Sequence, residues 1–239
     1  PKDDEGRADH EALQRLRPAH VVGLYGGLTS TIPRLYAIAG LYKKLGILVV
    51  AGGQHFVGEN IREALSSGID IVVVGEGEET VRDLLAAIAE GRDYSGMAGI
   101  AFMRDGQVVQ NRMREPLTDF DKLPVPDFSL LRYARLSLYP VGWTRGCCMK
   151  CEFCTVKGEV RCPAPEYVIE QITSLVERKN ARNFFVVDDL FGQNRLETLR
   201  LCRFLRDYQK AINVRLNINV QIRLDKARDT ELLTAMREA

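Results

Sequence analysis

The sequence predicts an α/β fold in two parts, a doubly wound parallel sheet followed by the first half of a (β/α) partial barrel. Three observations carry that reading. Between residues 19 and 90, continuously apolar runs alternate with amphipathic stretches of helical period. A stretch from 113 to 137, holding three prolines and no clean period, interrupts the alternation, which resumes after it. Residues 214–224 then alternate without a fault, with Val214, Leu216, Ile218, Val220, Ile222 and Leu224 set against Arg215, Asn217, Asn219, Gln221 and Arg223. Such a strand suits a sheet with helices on one side and a polar barrel interior on the other. An antiparallel edge strand with one wet face is the alternative.

The elements follow in order. After a first charged helix, residues 19–26 (AHVVGLYG) read as a strand, 32–45 as a helix, 47–52 (ILVVAG) as a strand and 58–67 as a helix. Residues 69–75 (IDIVVVG) read as a third strand and 79–90 as a third helix. The central runs of these strands are continuously apolar, as expected where helices cover both faces of a parallel sheet. Residues 100–103 and 108–110 flank Arg104-Asp105-Gly106-Gln107 and read as a hairpin with an Asp-Gly turn. The predicted organisation is an α/β domain over 1–112, a linker over 113–136 and a second domain over 137–239. In the second domain, 138–144 read as a strand, 165–179 as a helix and 184–187 as a strand ending in Asp188-Asp189. Residues 196–210 read as a helix, 214–224 as a strand and 230–238 as a last helix.

Composition narrows the function. The 33 Lys and Arg against 32 Asp and Glu give a net charge of +1, so no global field gathers nucleic acid or an anionic membrane. No apolar run approaches the length of a membrane span, and the first twenty residues are charged, unlike a signal peptide. The expected location is cytoplasmic.

The cysteines are more specific than the charge. Cys147, Cys148, Cys151, Cys154 and Cys162 lie close together, with Cys202 apart. Clustering of this kind points to metal or redox chemistry rather than a disulfide scaffold. Cys147, Cys151 and Cys154 form C-x3-C-x2-C directly after a predicted strand. Three thiolates on a short loop can hold three corners of a cubane cluster and leave the fourth iron open to a chelating substrate. A zinc site completed by Cys148 or Cys162 is the alternative, although the chain has no second C-x2-C pair and no His-x3-5-His. Cys148 then reads as a neighbouring thiol, Cys162 as structural and Cys202 as core. Three scattered histidines offer no nucleophile–base arrangement.

Cys147-x3-Cys151-x2-Cys154, with Phe153 just before the third cysteine, resembles the radical S-adenosylmethionine (SAM) signature, and its place after the first barrel strand is also that family's. The resemblance implies a 4Fe-4S cluster on the three cysteines, SAM chelating the fourth iron, and adenine contacted around Phe153. FFVVDDLFGQN and NVQIRLDKARDTELLTAMREA resemble the second and third βα units of cobalamin-type members. There the end of the second strand lies beside the SAM methionyl group, which is the place of Asp188 and Asp189. The Gly-Gly-Glu of many radical SAM enzymes is absent. One of the two aspartates can instead cap the following loop. Gln221 and Arg223 fall nearest the C-terminal end of the third strand and are candidate SAM or substrate contacts.

The segments VVGLYGGLTST, VVAGGQH and IVVVGEGEET resemble the flavodoxin-like cobalamin-binding domain that precedes the barrel in these enzymes. Gly26, Gly27, Thr29, Ser30, Gly52, Gly53, Gly75, Glu76 and Gly77 sit at strand C-terminal ends, where open α/β sheets bind ligands, and are candidate cobalamin contacts. Glycine in βα turns is the alternative explanation for each glycine singly. The Asp-x-His-x-x-Gly loop that supplies a cobalt-ligating histidine in some cobalamin proteins is absent. Of the three histidines, His10 reads as exposed and His20 as a strand-entry residue, while His55 follows Gly52-Gly53 and borders either the corrin or its own loop. None is assigned as a cobalt ligand.

The resemblance implies a cobalamin-dependent radical SAM enzyme that cleaves SAM reductively to a 5′-deoxyadenosyl radical for methylation or rearrangement of an unactivated carbon. It implies an external donor of flavodoxin or ferredoxin type and a small-molecule or lipid-like substrate, with no nucleic acid. Two other readings stay open: a radical SAM enzyme whose first domain binds no cobalamin, and a non-catalytic zinc or iron–sulfur protein. Three βα units after residue 137 fall short of an eight-unit barrel of about 250 residues, and the first domain reads as starting after its first strand. The sequence is therefore expected to be a fragment.

Overall fold

The computed structural model describes residues 2, 7–120, 123–132, 134–152, 154, 156 and 158–239. The chain divides into two compact units, residues 1–117 and 118–239.

In the first unit α1 (His10–Leu16) is capped by Asp9, whose carboxylate accepts a hydrogen bond from the Ala12 N–H at 2.8 Å. β1 (Val21–Tyr25), α2 (Ile32–Lys44), β2 (Leu48–Gly52), α3 (Glu59–Ser66), β3 (Ile71–Val73) and α4 (Glu78–Ala89) follow in alternation. The three strands pair in parallel in chain order, with Val21 opposite Leu48 and Val50 opposite Ile71. Successive strand residues point to opposite faces, and both faces are covered. Val49, Ala51 and Val72 pack with Leu35 and Ala39 of α2 and with Ile61 and Ala64 of α3. Val50, Ile71 and Val73 pack instead with Leu84 of α4. That double burial is why the central runs of these strands are continuously apolar. Each large side chain so buried contributes about 1.5–3 kcal/mol.

β4 (Ile100–Arg104) and β5 (Gln107–Gln110) add an antiparallel hairpin to β3. Its turn is only Asp105 and Gly106, with φ of +50° and +74°, the left-handed pair that a tight hairpin of matching twist requires. The predicted four-residue connection is thus two residues shorter, because Arg104 and Gln107 pair with each other.

The second unit holds β6 (Tyr139–Val141), α5 (Pro165–Lys179), β7 (Asn183–Val186), α6 (Arg195–Ile212), β8 (Asn217–Asn219) and α7 (Thr230–Glu238). Its sheet has the order β6-β7-β8, parallel throughout. Proline at the first position opens α5, and Asn180 closes it at φ +52°. Asn194 caps α6 through the Glu197 N–H, and Asn213 ends it at φ +51°. Val168, Ile172 and Leu175 of α5 and Leu201 and Leu205 of α6 bury against Val141, Phe184, Val186 and Leu216. The other face carries half-exposed Phe185 with exposed Val187, Asn217 and Asn219. Helices on one side and a partly polar face on the other make these the opening units of a (β/α) barrel.

The predicted strand over 214–224 is corrected in length. Its alternation is real, since Leu216 is buried and Asn217, Asn219, Gln221 and Arg223 are exposed. Ladder hydrogen bonds cover only 217–219, because β7 offers just Asn183, Phe184 and Phe185 as partners. Val214 is still tied to α6 by its N–H to the Gln209 carbonyl, and Leu224–Arg228 coil into a 3-10 turn. Period and exposure are side-chain properties, whereas a strand needs a neighbour to bond. Among the described residues no helix is long and apolar enough to cross a membrane.

Candidate functional site

The C-terminal ends of β1, β2 and β3 form the candidate surface of the first unit. The loops after β1 and β2 are knitted by backbone bonds, Gly26 N–H to the Gly52 carbonyl at 2.8 Å and His55 N–H to the Gly26 carbonyl at 3.0 Å. That closeness accounts for two predicted glycines without a ligand. A Cβ on Gly26 would stand 2.7 Å from the Phe56 ring, and one on Gly53 would stand 2.6 Å from the Gly26 carbonyl oxygen. Gly52 is less constrained, and Gly75 takes φ +86° after β3. Thr29 and Ser30 are exposed in a 3-10 turn, and Glu76 accepts a hydrogen bond from the Leu117 N–H at 2.7 Å.

Two features of this surface suit a large, flat, partly apolar ligand. Tyr25, Leu28 and Val57, all on the β1 and β2 ends, are well exposed large apolar side chains. On the same loops the His55 Nε2 is buried with no hydrogen-bond partner, a state that costs free energy unless a ligand group answers it. His10, by contrast, lies against the Tyr42 hydroxyl at 3.2 Å, away from these ends.

In the second unit the cysteine loop leaves β6 and returns to α5. It is pinned at its root. Asp188, just past β7, is 3% exposed, and its Oδ1 accepts from the Trp143 and Thr144 N–H groups, each at 2.9 Å. Its Oδ2 accepts from the Thr144 hydroxyl at 2.7 Å. Burial pushes the Asp188 carboxyl up to about 6, opposed by the Thr144 and Trp143 hydrogen bonds and assisted slightly by the Asp189 charge. One turn further, Arg145 and Arg161 exchange backbone hydrogen bonds of 3.0 and 2.9 Å, which closes the loop into a ring. Both guanidinium groups lie over the buried Phe120 ring, at 4.9 and 5.4 Å. The Trp143 indole N–H donates to the Pro163 carbonyl at 2.9 Å.

Inside this ring Cys147, Cys151 and Cys154 are half-buried and Cys148 is exposed, and none of the four is in a disulfide. The Cys154 N–H turns back to the Cys151 carbonyl at 3.3 Å. Among the described residues no three His, Cys, Asp or Glu side chains are gathered closely enough to hold a metal ion. The three thiols are therefore carried by one loop without being drawn together. Their chemistry fits an iron–sulfur cluster: three soft donors, none in a disulfide, on one short, anchored segment. Burial pushes Cys162 up to about 12, with the Glu197 and Asp188 charges adding to it, and burial alone pushes Cys202 up to about 11. Such thiols stay protonated near neutral pH. Phe153 lies outside the described residues.

The predicted aspartate pair divides. Asp188 spends both oxygens on the loop root, while Asp189 is exposed. Asn217 and Asn219 turn back to β7, onto Asn183 and the Phe184 carbonyl. Arg223 pairs with Asp225 at 3.1 Å, and the Gln221 carbonyl accepts from the Phe191 N–H at 2.8 Å, leaving the Gln221 side chain exposed. Thr144, Gly146 and Gln193, which shape the loop, carry no sequence signal of their own. Gly146 has φ +84°, and a Cβ there would stand 2.2 Å from the Glu159 carbonyl oxygen.

Comparison with known proteins accords with this geometry. Residues 6–85 match the B12 binding domain. The chain is 28% identical over 205 residues to an uncharacterized methyltransferase of Pyrococcus horikoshii, covering 79% of this chain and 44% of that protein. It is 29% identical over 210 residues to the anaerobic magnesium-protoporphyrin IX monomethyl ester cyclase of Rubrivivax gelatinosus, covering 81% and 37%. The fold matches that of the radical SAM methyltransferase TsrM from Kitasatospora setae, solved with cobalamin and a 4Fe-4S cluster, at TM-score 0.67 and 20% identity over 84% of this chain and 43% of that one. The chain thus spans less than half the length of these relatives. Residues 6–85 thus match a B12 binding domain, and over most of its length the chain is similar to the methyltransferase and the cyclase above and shares the fold of TsrM.

Proposed function

We propose that this chain is the cofactor-binding portion of a cobalamin-dependent radical SAM enzyme, of methyltransferase type. The observation that carries the reading is the anchored loop: three half-buried thiols outside any disulfide, Cys147, Cys151 and Cys154, on a segment clamped to the end of the sheet by Asp188. These thiols would hold a 4Fe-4S cluster. With SAM bound, the chemistry such a cluster supplies is one-electron cleavage to methionine and a 5′-deoxyadenosyl radical, used with the corrinoid to methylate or rearrange an unactivated carbon.

The chain's own residues bind and orient. Asp188 holds the loop root, and exposed Asp189 stands beside it as the carboxylate free to meet the SAM ammonium. Gln221 and Arg223, exposed beyond β8, would contact SAM or substrate, as would Phe153. In the first unit, exposed Tyr25, Leu28 and Val57 would cover an apolar ligand face. Thr29, Ser30 and the unpartnered His55 Nε2 would answer its polar edge. The glycines at 26, 52, 53 and 75 keep the surface low. Thiols outside any disulfide suit a reducing cytoplasm, and the electron would come from a flavodoxin- or ferredoxin-type donor. The substrate class is a small molecule or a lipid-like one.

Anaerobic reconstitution of the chain with iron and sulfide tests the reading. About four irons per chain and a reducible cluster signal in electron paramagnetic resonance are expected. Stoichiometric zinc with no iron would overturn it. Equilibrium binding of hydroxocobalamin to the same chain is expected, and a cluster without corrinoid binding would restrict the function to radical SAM chemistry alone.

A further inference from the structure

The segment FGQN, between β7 and α6, places one side chain against the cysteine loop. Gln193 is half-buried, and its amide makes two oppositely directed hydrogen bonds. Its Nε2 donates to the Gly146 carbonyl at 3.0 Å, and its Oε1 accepts from the Cys148 N–H at 3.3 Å. The Cys148 thiol lies 3.6 Å from the same oxygen. The two backbone partners flank Cys147 on either side. The amide therefore mimics a neighbouring strand and fixes the peptide planes that carry the first cysteine. Its own position is held from both ends: the Phe191 N–H is bonded to the Gln221 carbonyl at 2.8 Å, and Asn194 caps α6. Gly192, at φ +80°, turns the chain between them.

We infer that Gln193 is a positioning residue for the cluster ligand Cys147, a role resting on the cluster reading above. An amide suits the task because it supplies a donor and an acceptor at once and adds no charge beside the thiolates. Asp188 fixes where the loop begins, and Gln193 fixes how its first ligand is presented. Groups that orient metal ligands in this way are worth about tenfold or more in metal retention.

The test uses the whole chain, reconstituted anaerobically, as wild type, Gln193→Leu and Gln193→Glu. Leucine keeps the bulk and loses both bonds, whereas glutamate keeps the acceptor, loses the donor and adds a negative charge. Iron release to a chelator, the reduced cluster's electron paramagnetic resonance, its midpoint potential and the apo-protein melting temperature are measured. Wild type that takes up no 4Fe-4S cluster would refute the cluster reading itself. With wild type loaded, the inference expects Gln193→Leu to release iron about tenfold faster at an unchanged apo melting temperature. It expects Gln193→Glu to lower the midpoint potential with an altered signal. Variants that match wild type in iron release and potential, or whose loss of iron only tracks a fall in melting temperature, would overturn it. Should the leucine variant fail to fold, the glutamate potential decides.

Discussion

Asp188 and Thr144 are joined twice: the Thr144 N–H donates to Oδ1 at 2.9 Å and its hydroxyl donates to Oδ2 at 2.7 Å. The contact spans the ends of two parallel strands and fixes the point where the cysteine loop departs. It also sets an electrostatic condition, because the carboxylate is buried among the donors that stabilise its charge.

That condition gives a pH dependence. The Asp188 carboxyl moves from 3.8 to about 6 on folding, so between about pH 4 and 6 the native chain binds more protons than the unfolded one. Stability is expected to fall as pH rises through that window and to be level above it. Asp188→Asn should flatten this slope, worth up to about 2–3 kcal/mol at 1.4 kcal/mol per unit, as read by urea melts at pH 4.5 and 7. Asp188→Ala should instead lower stability at both pH values, since two buried N–H groups lose their acceptor at about 1–3 kcal/mol each. A slope unchanged in the asparagine variant would refute the assignment.

Gly146→Ala should disable the loop while sparing the rest. Its Cβ would meet the Glu159 carbonyl oxygen at 2.2 Å, in a left-handed backbone. Iron uptake on reconstitution is expected to drop at least severalfold, while hydroxocobalamin binding by the first unit stays as in wild type. Normal iron content would show that the loop relaxes around the methyl group.

The cysteines separate by role. Cys147→Ala, Cys151→Ala and Cys154→Ala should each abolish a stable cluster, whereas Cys148→Ser and Cys202→Ser should leave iron content within error of wild type. Cys162→Ser should do the same, since burial pushes that thiol up to about 12 and keeps it protonated. Iron assays and absorbance of the six reconstituted variants check this, and SAM cleavage by Cys151→Ala would disprove the cluster assignment.

His55→Leu is expected to act in opposite directions on stability and on binding. The Nε2 is buried without a partner, so an apolar replacement should leave the apo chain as stable or up to about 1 kcal/mol more so. Hydroxocobalamin affinity, measured by equilibrium dialysis, should fall. An unaltered affinity would assign His55 to packing its own loop.

Much of the fold was legible because its signals are local. Apolar residues at every position of β2 and β3 reported a sheet buried on both faces, which the α2, α3 and α4 packing explains. Asp105-Gly106 announced the hairpin because few residue pairs tolerate two positive φ values. Pro165 and Asn194 open α5 and α6 through their own backbone chemistry, the second one residue earlier than the period alone indicated. The strand over 214–224 was overextended because exposure alternates along it while only residues 217–219 find a bonding neighbour.

The site was legible in part. Cysteine spacing by itself determined which thiols share one loop, since their separation is written in the chain. The apolar run over 184–187 likewise placed Asp188 and Asp189 at a strand end. Only the tertiary structure decided that Asp188 turns inward to hold Thr144 while Asp189 stays exposed, and that Gln193, far away in sequence, brackets Cys147. The same holds for Gly26, whose missing side chain makes room for Phe56. The physical reason is common to all three. A residue's hydrogen-bond inventory and volume are fixed by its type, but which donor or ring meets it depends on contacts closed by folding segments tens of residues apart.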